Sequence, residues 1–309
     1  MINKPYFPKV SIGIPTYNGS ARISKALNSI WRQNYPNLEI IVSDNCSTDE
    51  TPQVIAAAQQ EHPEIIYFRQ GKNIGLVPNF EFVLKMSSGE YFMWIGDDDA
   101  LEPGALSNYV SFLERHPEYS LVSGAVQYWK GNKHDLVEKD FSMEQNNRCI
   151  RTIAFYFKVI YGGMFHGMMR RTIAAEIPCR NVFGNDYHFI ASVAFTGKMK
   201  NFDWTGYHKW FGGTSRDNRI YARSIGESKF TGNYPHLKMA FDAFLEVYTR
   251  SQVFRSLGFL PRIITAFSSS LGILYCYYIT IFPFKIGGIV KRGIGVEYIM
   301  NTVRLKINK

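Results

Sequence analysis

Within the first 115 residues, four short apolar runs each give way to a polar loop and then to apolar residues spaced on one helical face. Val10, Ile12 and Ile14 alternate and stop at Pro15 in a turn, while Leu38 to Val42, Ile65 to Phe68 and Tyr91 to Ile95 are three further strands. Ile23, Ala26, Leu27, Ile30 and Trp31 fall at i, i+3, i+4, i+7 and i+8, and Phe80, Val83 and Leu84 mark a helix ending near Gly89. Ser47-Thr48-Asp49-Glu50 has the spacing of a capping box for the helix between them. Strands that alternate with helices are joined as parallel β-α-β units whose helices cover the sheet. The expected class is therefore α/β, with a mostly parallel sheet flanked by helices.

Further along, Pro103 suits the first turn of a helix carrying Leu106, Tyr109, Val110 and Leu113, and Leu121 to Trp129 is another strand. Lys130 to Arg148 is polar and has no period, so a loop able to act as an active-site lid is expected there. Gly184-Asn185-Asp186 opens a helix that stops at Gly197. No repeats or low-complexity tracts occur. Cys46, Cys149, Cys179 and Cys276 are far apart and contain no C-x-x-C pair, which indicates neither a zinc site nor a disulfide framework. Reduced thiols, together with a start that lacks the apolar stretch of a signal peptide, lead to the expectation of a cytoplasmic protein.

Charge is unevenly distributed. Residues 1–197 carry 18 Lys/Arg against 20 Asp/Glu, whereas residues 248–309 carry nine Lys/Arg and the single acid Glu297. That basic end suits an anionic surface. Within it, Ile263 to Phe284 is 22 residues without a charge, close to the length of about 20 that crosses a bilayer. The segment is nevertheless patterned: Ile263, Ile264, Phe267, Leu271, Leu274, Tyr275, Tyr278, Ile281 and Phe282 form one helical face, and Ser269, Gly272, Cys276 and Thr280 the other. Basic residues flank it on both sides, so the positive-inside rule sets no crossing direction. A helix lying in or dipping into the membrane plane fits this pattern better than a span or a soluble packing helix. A membrane surface reached through 248–309, on the cytoplasmic face, is the expected partner, and no nucleic acid is.

In α/β sheets, ligands gather at the carboxyl ends of the strands. Three loops there share a polar character: Pro15-Thr16-Tyr17-Asn18, Ser43-Asp44-Asn45-Cys46-Ser47-Thr48-Asp49 and Gly96-Asp97-Asp98-Asp99. Asp44 could serve a turn, or could accept the imide N–H of a uracil stacked on Tyr17. Lys72-Asn73-Ile74-Gly75 places a cation and an amide beside a glycine that lets backbone approach a ligand, without Walker spacing. Three consecutive carboxylates repel one another unless a positive group sits among them. Mg²⁺ or Mn²⁺, shared with a diphosphate, would supply that charge; a solvated acidic helix start is the plainer alternative. Asp186 could cap its helix or act as a general base, with Asn185 orienting the incoming group.

These motifs, in this order over roughly residues 8–215, resemble the family 2 glycosyltransferases, which have the GT-A fold. Asp44 to Asp49 is similar to that family's Asp-Asp-Gly-Ser-Thr-Asp, and Asn73-x-Gly75, the acidic triplet and Asn185-Asp186 follow in sequence. The resemblance implies a metal-dependent, inverting transfer of a sugar from a nucleotide-diphosphate donor, UDP by expectation, to a saccharide or lipid-linked acceptor. By it, Pro15, Thr16 and Tyr17 line the nucleoside, Asp44 contacts uracil, Asp97 the ribose, Asp98 the metal, and Asp186 is the catalytic base; Lys72, Asn73 and Gly75 complete the nucleotide site. Asp99 is a further candidate for the metal. Residues 1–215 would be the catalytic domain, with a nucleotide half to about 125 and an acceptor half after it, and 216–309 a helical, basic extension.

Four positions depart from the family pattern. Gly96 stands where relatives begin Asp-x-Asp, Asn185 replaces Glu, and Cys46 replaces Gly, which implies a less demanding turn. Tyr207 to Ser215 is similar to the family's segment that closes over the diphosphate, with Phe211 at a position often held by His; His208 or Lys209 would then supply the cation, and Trp204 or Trp210 could stack on a sugar. A nucleotidyl- or phosphoryl-transfer enzyme would show a glycine-rich phosphate loop with a cation after the first strand, which Pro15 to Gly19 does not. A non-catalytic adaptor leaves the acids unexplained.

Overall fold

In the computed structural model, which describes residues 6–139, 141–160, 162–210 and 217–281, the four apolar runs form strands β1 (Val10–Thr16), β2 (Leu38–Asp44), β3 (Ile65–Arg69) and β4 (Tyr91–Trp94). They lie side by side in the order β3-β2-β1-β4, all parallel. Helices α1 (Ile23–Trp31), α2 (Thr51–Glu61) and α3 (Leu76–Met86) make the crossovers. Side chains alternate between two cores: Ile40 and Val42 of β2 and Met93 of β4 face α1, whereas Ile41, Phe92 and Trp94 face α3. Helix α3 lies so close to β1 that a Cβ on Gly13 would be 2.6 Å from Cγ2 of Val83.

The second half reverses direction. After β5 (Ala100–Leu101) and α4 (Ala105–Arg115) come β6 (Tyr119–Lys130), β7 (Lys133–Glu138), α5 (Arg148–Lys158), a 3₁₀ turn (Gly163–His166), β8 (Met168–Arg170), α6 (Arg171–Ala175), α7 (Asn185–Thr196) and β9 (Lys198–Trp210). Strand β8 pairs antiparallel with both β4 and β6, β9 runs parallel to β6, and β5 closes the far edge against β9. The nine-stranded sheet is thus parallel from β3 to β4 and mixed beyond β4. The long strand β9 carries residues 207–210 back to the acidic loop.

Three local expectations are corrected. Lys130 to Arg148 is not one open loop: it holds the antiparallel strand β7, turned at Gly131 with φ +61°, and a bridge from Met143 to Met199. The capping-box spacing goes unused, because the Ser47 hydroxyl is taken by the Asn18 N–H at 2.8 Å, and Asp49 accepts the Thr51 N–H at 3.1 Å in its place. Pro103 lies before the helix, which starts at Ala105 behind Gly104 in the left-handed conformation.

Beyond β9 come α8 (Asn218–Ser224), α9 (Lys229–Asn233), α10 (Pro235–Leu245) and α11 (Phe259–Tyr275); α8 and α10 meet the turn that leads into α7, and α11 packs on α5 and α10. Arg180 donates to Glu246 at 2.7 Å, the Asn181 amide donates to the Ile225 carbonyl at 2.9 Å, and Met239 fills the space a side chain at Gly184 would need. Buried Asp242 is neutralised by Lys238 and Arg250 at 2.6 and 2.9 Å. Helix α11 continues as a π-helical segment, Cys276–Ile281, and is long and apolar enough to cross a membrane by length and composition. Its small face turns inward: Thr265, Ala266, Ser269, Gly272 and Cys276 are buried, with Gly272 against the backbone of α5. Its apolar face turns outward, exposing Phe259, Leu260, Ile264, Phe267, Leu271, Tyr275 and Tyr278. Lys285, Lys291 and Arg292, the cations expected to follow this segment, lie outside the described residues, as does Phe282.

Candidate active site

The loops at the carboxyl ends of β1, β2 and β3 are knitted together by side chains. Asn18 Oδ1 accepts the Thr48 N–H at 2.9 Å, and the Gly19 N–H donates to Thr51 at 2.9 Å. Asp44 is fully buried; its oxygens accept the Ser47 N–H at 2.8 Å and the Tyr67 hydroxyl at 3.0 Å, with Arg69 at 3.6 Å. Asn45 joins this loop to the next, donating to Asn73 and to the Gly75 carbonyl and accepting the Ile74 N–H at 2.8 Å. Gly75, with φ +93°, opens α3 where a side chain would be strained. Cys46 also sits in the left-handed region, at φ +63°, so replacing glycine has not relaxed the turn; the chain tolerates the strained conformation there. Pro15 and Thr16 are buried at the end of β1, whereas Tyr17 and Lys72 are exposed beside these loops.

The three acids behave differently. Asp97 accepts the Thr16 hydroxyl at 2.6 Å and pairs with Arg22 at 3.0 Å. This contact needs Gly19, because a Cβ there would collide with both Thr16 Oγ1 and Asp97 Oδ2. Asp99, expected beside Asp98 as a metal ligand, is turned inward: it accepts the Tyr207 hydroxyl at 2.8 Å and the Trp210 N–H at 3.1 Å, and burial raises its pKa to about 7. Asp98 accepts no hydrogen bond from another side chain among the described residues, and burial followed by Asp97 raises its pKa. No cluster of three or more His, Cys, Asp or Glu side chains able to hold a metal unaided occurs among the described residues. One oriented carboxylate with a second beside it does fit a cation shared with a diphosphate and waters, the manner in which Mg²⁺ is usually held.

Asp186 enters from the other half of the chain. It occupies the first turn of α7, behind Gly184 at φ +76°, and its Oδ2 rests against Gly162, where a Cβ would clash. Burial raises its pKa and the Lys209 ammonium opposes that rise. The same ammonium opposes the rise at Asp99 and, less than Arg22 does, the rise at Asp98. Lys209 Nζ donates to Nε2 of His166 at 3.0 Å. That ring therefore keeps its proton on Nδ1, facing the Trp94 carbonyl at 3.4 Å, and burial with Lys209 holds its pKa well below the ordinary value.

Other expected contacts are committed elsewhere. Asn185 accepts the Arg180 N–H at 2.5 Å, so its side chain braces the turn into α7. His208 accepts the Trp129 indole N–H at 3.1 Å and donates to Glu102 at 2.6 Å, so it is engaged away from the acidic triplet. Trp210 stacks on Trp129 at 5.7 Å with Lys25 over its face, and Trp204 stacks on Tyr109 at 5.3 Å. Phe211 to Ser215 lie outside the described residues. Arg22, Tyr67 and His166 were not expected, and Tyr207 was expected only as part of the segment 207–215, with no role of its own. Arg22 could have been found as a cation just before α1, whereas His166 reaches the site by tertiary packing without a local motif.

A mixed sheet with polar loops at one edge, an acidic triplet beside them and a carboxylate arriving from the second half is the GT-A architecture. The profile of glycosyl transferase family 2 matches residues 11–177, and the chain belongs to that family. It is 41% identical over 101 residues to the GalNAc(5)-diNAcBac-PP-undecaprenol beta-1,3-glucosyltransferase of Campylobacter jejuni. That match covers 32% of this chain and 33% of the relative. An uncharacterized glycosyltransferase of Rickettsia typhi is 35% identical over 115 residues, 37% of this chain and 35% of that one. The chain thus spans about a third of the length of these relatives. Its fold is similar to Staphylococcus aureus TarS 1–349 in complex with UDP-GlcNAc, with a TM-score of 0.57 and 19% identity over 86% of this chain and 81% of that one. It is also similar to the mannosyltransferase PcManGT of Pyrobaculum calidifontis in complex with GDP-Man and Mn²⁺, with a TM-score of 0.51 and 17% identity over 91% and 92%.

Tyr207 is the fastener between β9 and the acidic loop, since its hydroxyl donates to Asp99 and accepts the Gly96 N–H at 3.0 Å. Tyr207→Phe leaves a buried carboxylate and a backbone N–H short of a partner, and is expected to lower unfolding free energy by about 1–3 kcal/mol in urea titrations. A variant as stable as the wild type would show that the loop does not depend on this contact.

Proposed function

We propose that the protein transfers a sugar with inversion from a UDP-sugar to a saccharide or lipid-linked acceptor in cell-surface polysaccharide or glycoconjugate assembly, working against the cytoplasmic face of a membrane. The observation that supports this reading best is the arrangement of Asp186 and the acidic loop around Lys209. The nucleoside would lie against Pro15, Thr16 and Tyr17, with Asp44, Lys72, Asn73 and Gly75 around the base and Asp97 toward the ribose. The catalytic unit would be residues 1–215, its acceptor half after about residue 125.

Asp186 would take the acceptor hydroxyl's proton as that oxygen attacks the anomeric carbon opposite the departing diphosphate. Asp98, with Asp97 beside it, would hold Mn²⁺ or Mg²⁺, which when bound supplies Lewis-acid stabilisation of the leaving phosphate. Lys209 adds a positive charge on the same side and needs no rearrangement to do so. The fold neighbours in complex with UDP-GlcNAc and with GDP-Man and Mn²⁺, and the Campylobacter relative named for an undecaprenol-linked substrate, support this reading.

Asp186→Asn is expected to lower kcat by about 10²–10⁴-fold while nucleotide affinity, measured by calorimetry, stays near wild type. Equal loss of both in a folded variant would remove the base assignment. The base works deprotonated and burial raises its pKa. Activity should therefore fall on acidification at a pH above the ordinary aspartate range, and a rate flat through that window would contradict the role.

The outward apolar stripe of α11 is the proposed membrane contact. Large side chains such as Phe267 and Leu271 are exposed on it, and Arg255 and Arg262 lie close by in sequence to meet anionic headgroups. Phe267→Asp with Leu271→Asp changes side chains that are more than half exposed, Phe267 also meeting the Phe244 ring at 4.8 Å. It should weaken co-sedimentation with phosphatidylglycerol-containing vesicles by about tenfold or more; unchanged sedimentation would rule this surface out.

A further inference from the structure

Two consecutive glycines, Gly162 and Gly163, separate the buried carboxylate of Glu138 from the half-buried one of Asp186. A side chain on Gly162 would run into Asp186, and a Cβ on Gly163 would sit 3.0 Å from Oε2 of Glu138. Glu138 ends β7, the strand hidden in the unpatterned polar stretch, and is 3% exposed. Its Oε2 accepts the Tyr128 hydroxyl at 2.7 Å, and the Gly163 N–H also donates to it. Lys209 approaches from β9, where it lies opposite Tyr128 in the β6–β9 register, and Asp186 from α7 across the glycines; burial raises the Glu138 pKa to about 7 and Lys209 opposes that rise. Asp98 and Asp99 lie in the same ammonium's field, and His166 is its neutral hydrogen-bond partner.

Burying a carboxylate is costly unless its charge is used. A glutamine would accept both hydrogen bonds, so these do not account for the acid. What an acid adds here is attraction for Lys209. Without it the ammonium would be drawn toward Asp99 and Asp186, and a direct pair with Asp186 would leave that carboxylate a poorer base.

We propose that Glu138 is a positioning residue for the transfer: its charge holds Lys209 between the acidic loop and Asp186, while its hydrogen bonds fix the Gly162-Gly163 backbone on which Asp186 rests. The inference depends on Asp186 being the base.

The test compares wild type, Glu138→Gln, Lys209→Met and the double variant, using kcat, donor KM and the ring ¹⁵N resonances of His166. Glu138→Gln should lower kcat about tenfold or more with donor KM within about twofold, and the double variant should be no slower than Lys209→Met, since Glu138 acts through that lysine. The His166 Nε2 resonance should move in Glu138→Gln as Lys209 shifts. Wild-type kcat with an unmoved resonance would overturn the proposal, as would a double variant slowed by the product of the single effects. If Glu138→Gln does not fold, the double variant, which removes both charges together, still gives the comparison with Lys209→Met. The resonance is read without substrate, so a shift in a protein that transfers no sugar would uphold the coupling and reject the transfer reading instead.

Discussion

Four carboxylates, Asp98, Asp99, Glu138 and Asp186, lie in the field of one ammonium, Lys209 Nζ, whose direct hydrogen-bond partner is His166 at 3.0 Å. Buried acids are tolerable where a cation and hydrogen bonds compensate them. Lys209 is delivered by β9, whose place in the sheet depends on its long parallel pairing with β6 and whose end is tied to the acidic loop through Tyr207 and Trp210. Asp186 is delivered by α7, which the C-terminal helices brace through Arg180, Asn181 and Met239. A fault in any of these elements would move a charge relative to the lysine.

The same account separates roles within the acidic triplet. Asp97 is compensated by direct contacts with Arg22 and Thr16, and Asp99 by Tyr207 and the Trp210 backbone. Three adjacent residues of one type thus take three environments. Asp98 accepts no side-chain hydrogen bond among the described residues and has only the charges of Arg22 and Lys209 in its field.

Much of this was legible in the sequence where periodicity is local. The alternation of Val10, Ile12 and Ile14 and the helical spacing of Ile23 to Trp31 survive intact as β1 and α1, because each is decided by which face meets a core. Strand β7 was not legible: Lys133, His134 and Asp135 are exposed polar residues, so the few positions that turn inward, Leu136 and Glu138 among them, form no readable alternation. The consequences of distant pairing were equally hidden. The strained turn at Cys46, the diversion of Asn185 to Arg180 and the inward face of α11 all depend on neighbours far away in the chain or on backbone geometry. On α11, the face with small residues lies inside because α5 approaches closely at Gly272, which leaves the larger apolar side chains outside.

The central claim is that these loops form one nucleotide-sugar site serving a single transfer. The most direct measurement is release of nucleoside diphosphate by the purified protein with Mn²⁺ across a panel of nucleotide sugars. The account predicts turnover of one or a few UDP-sugars that accelerates when a lipid-linked saccharide is supplied. Release from no donor, with no UDP binding by calorimetry in a folded sample, would contradict it.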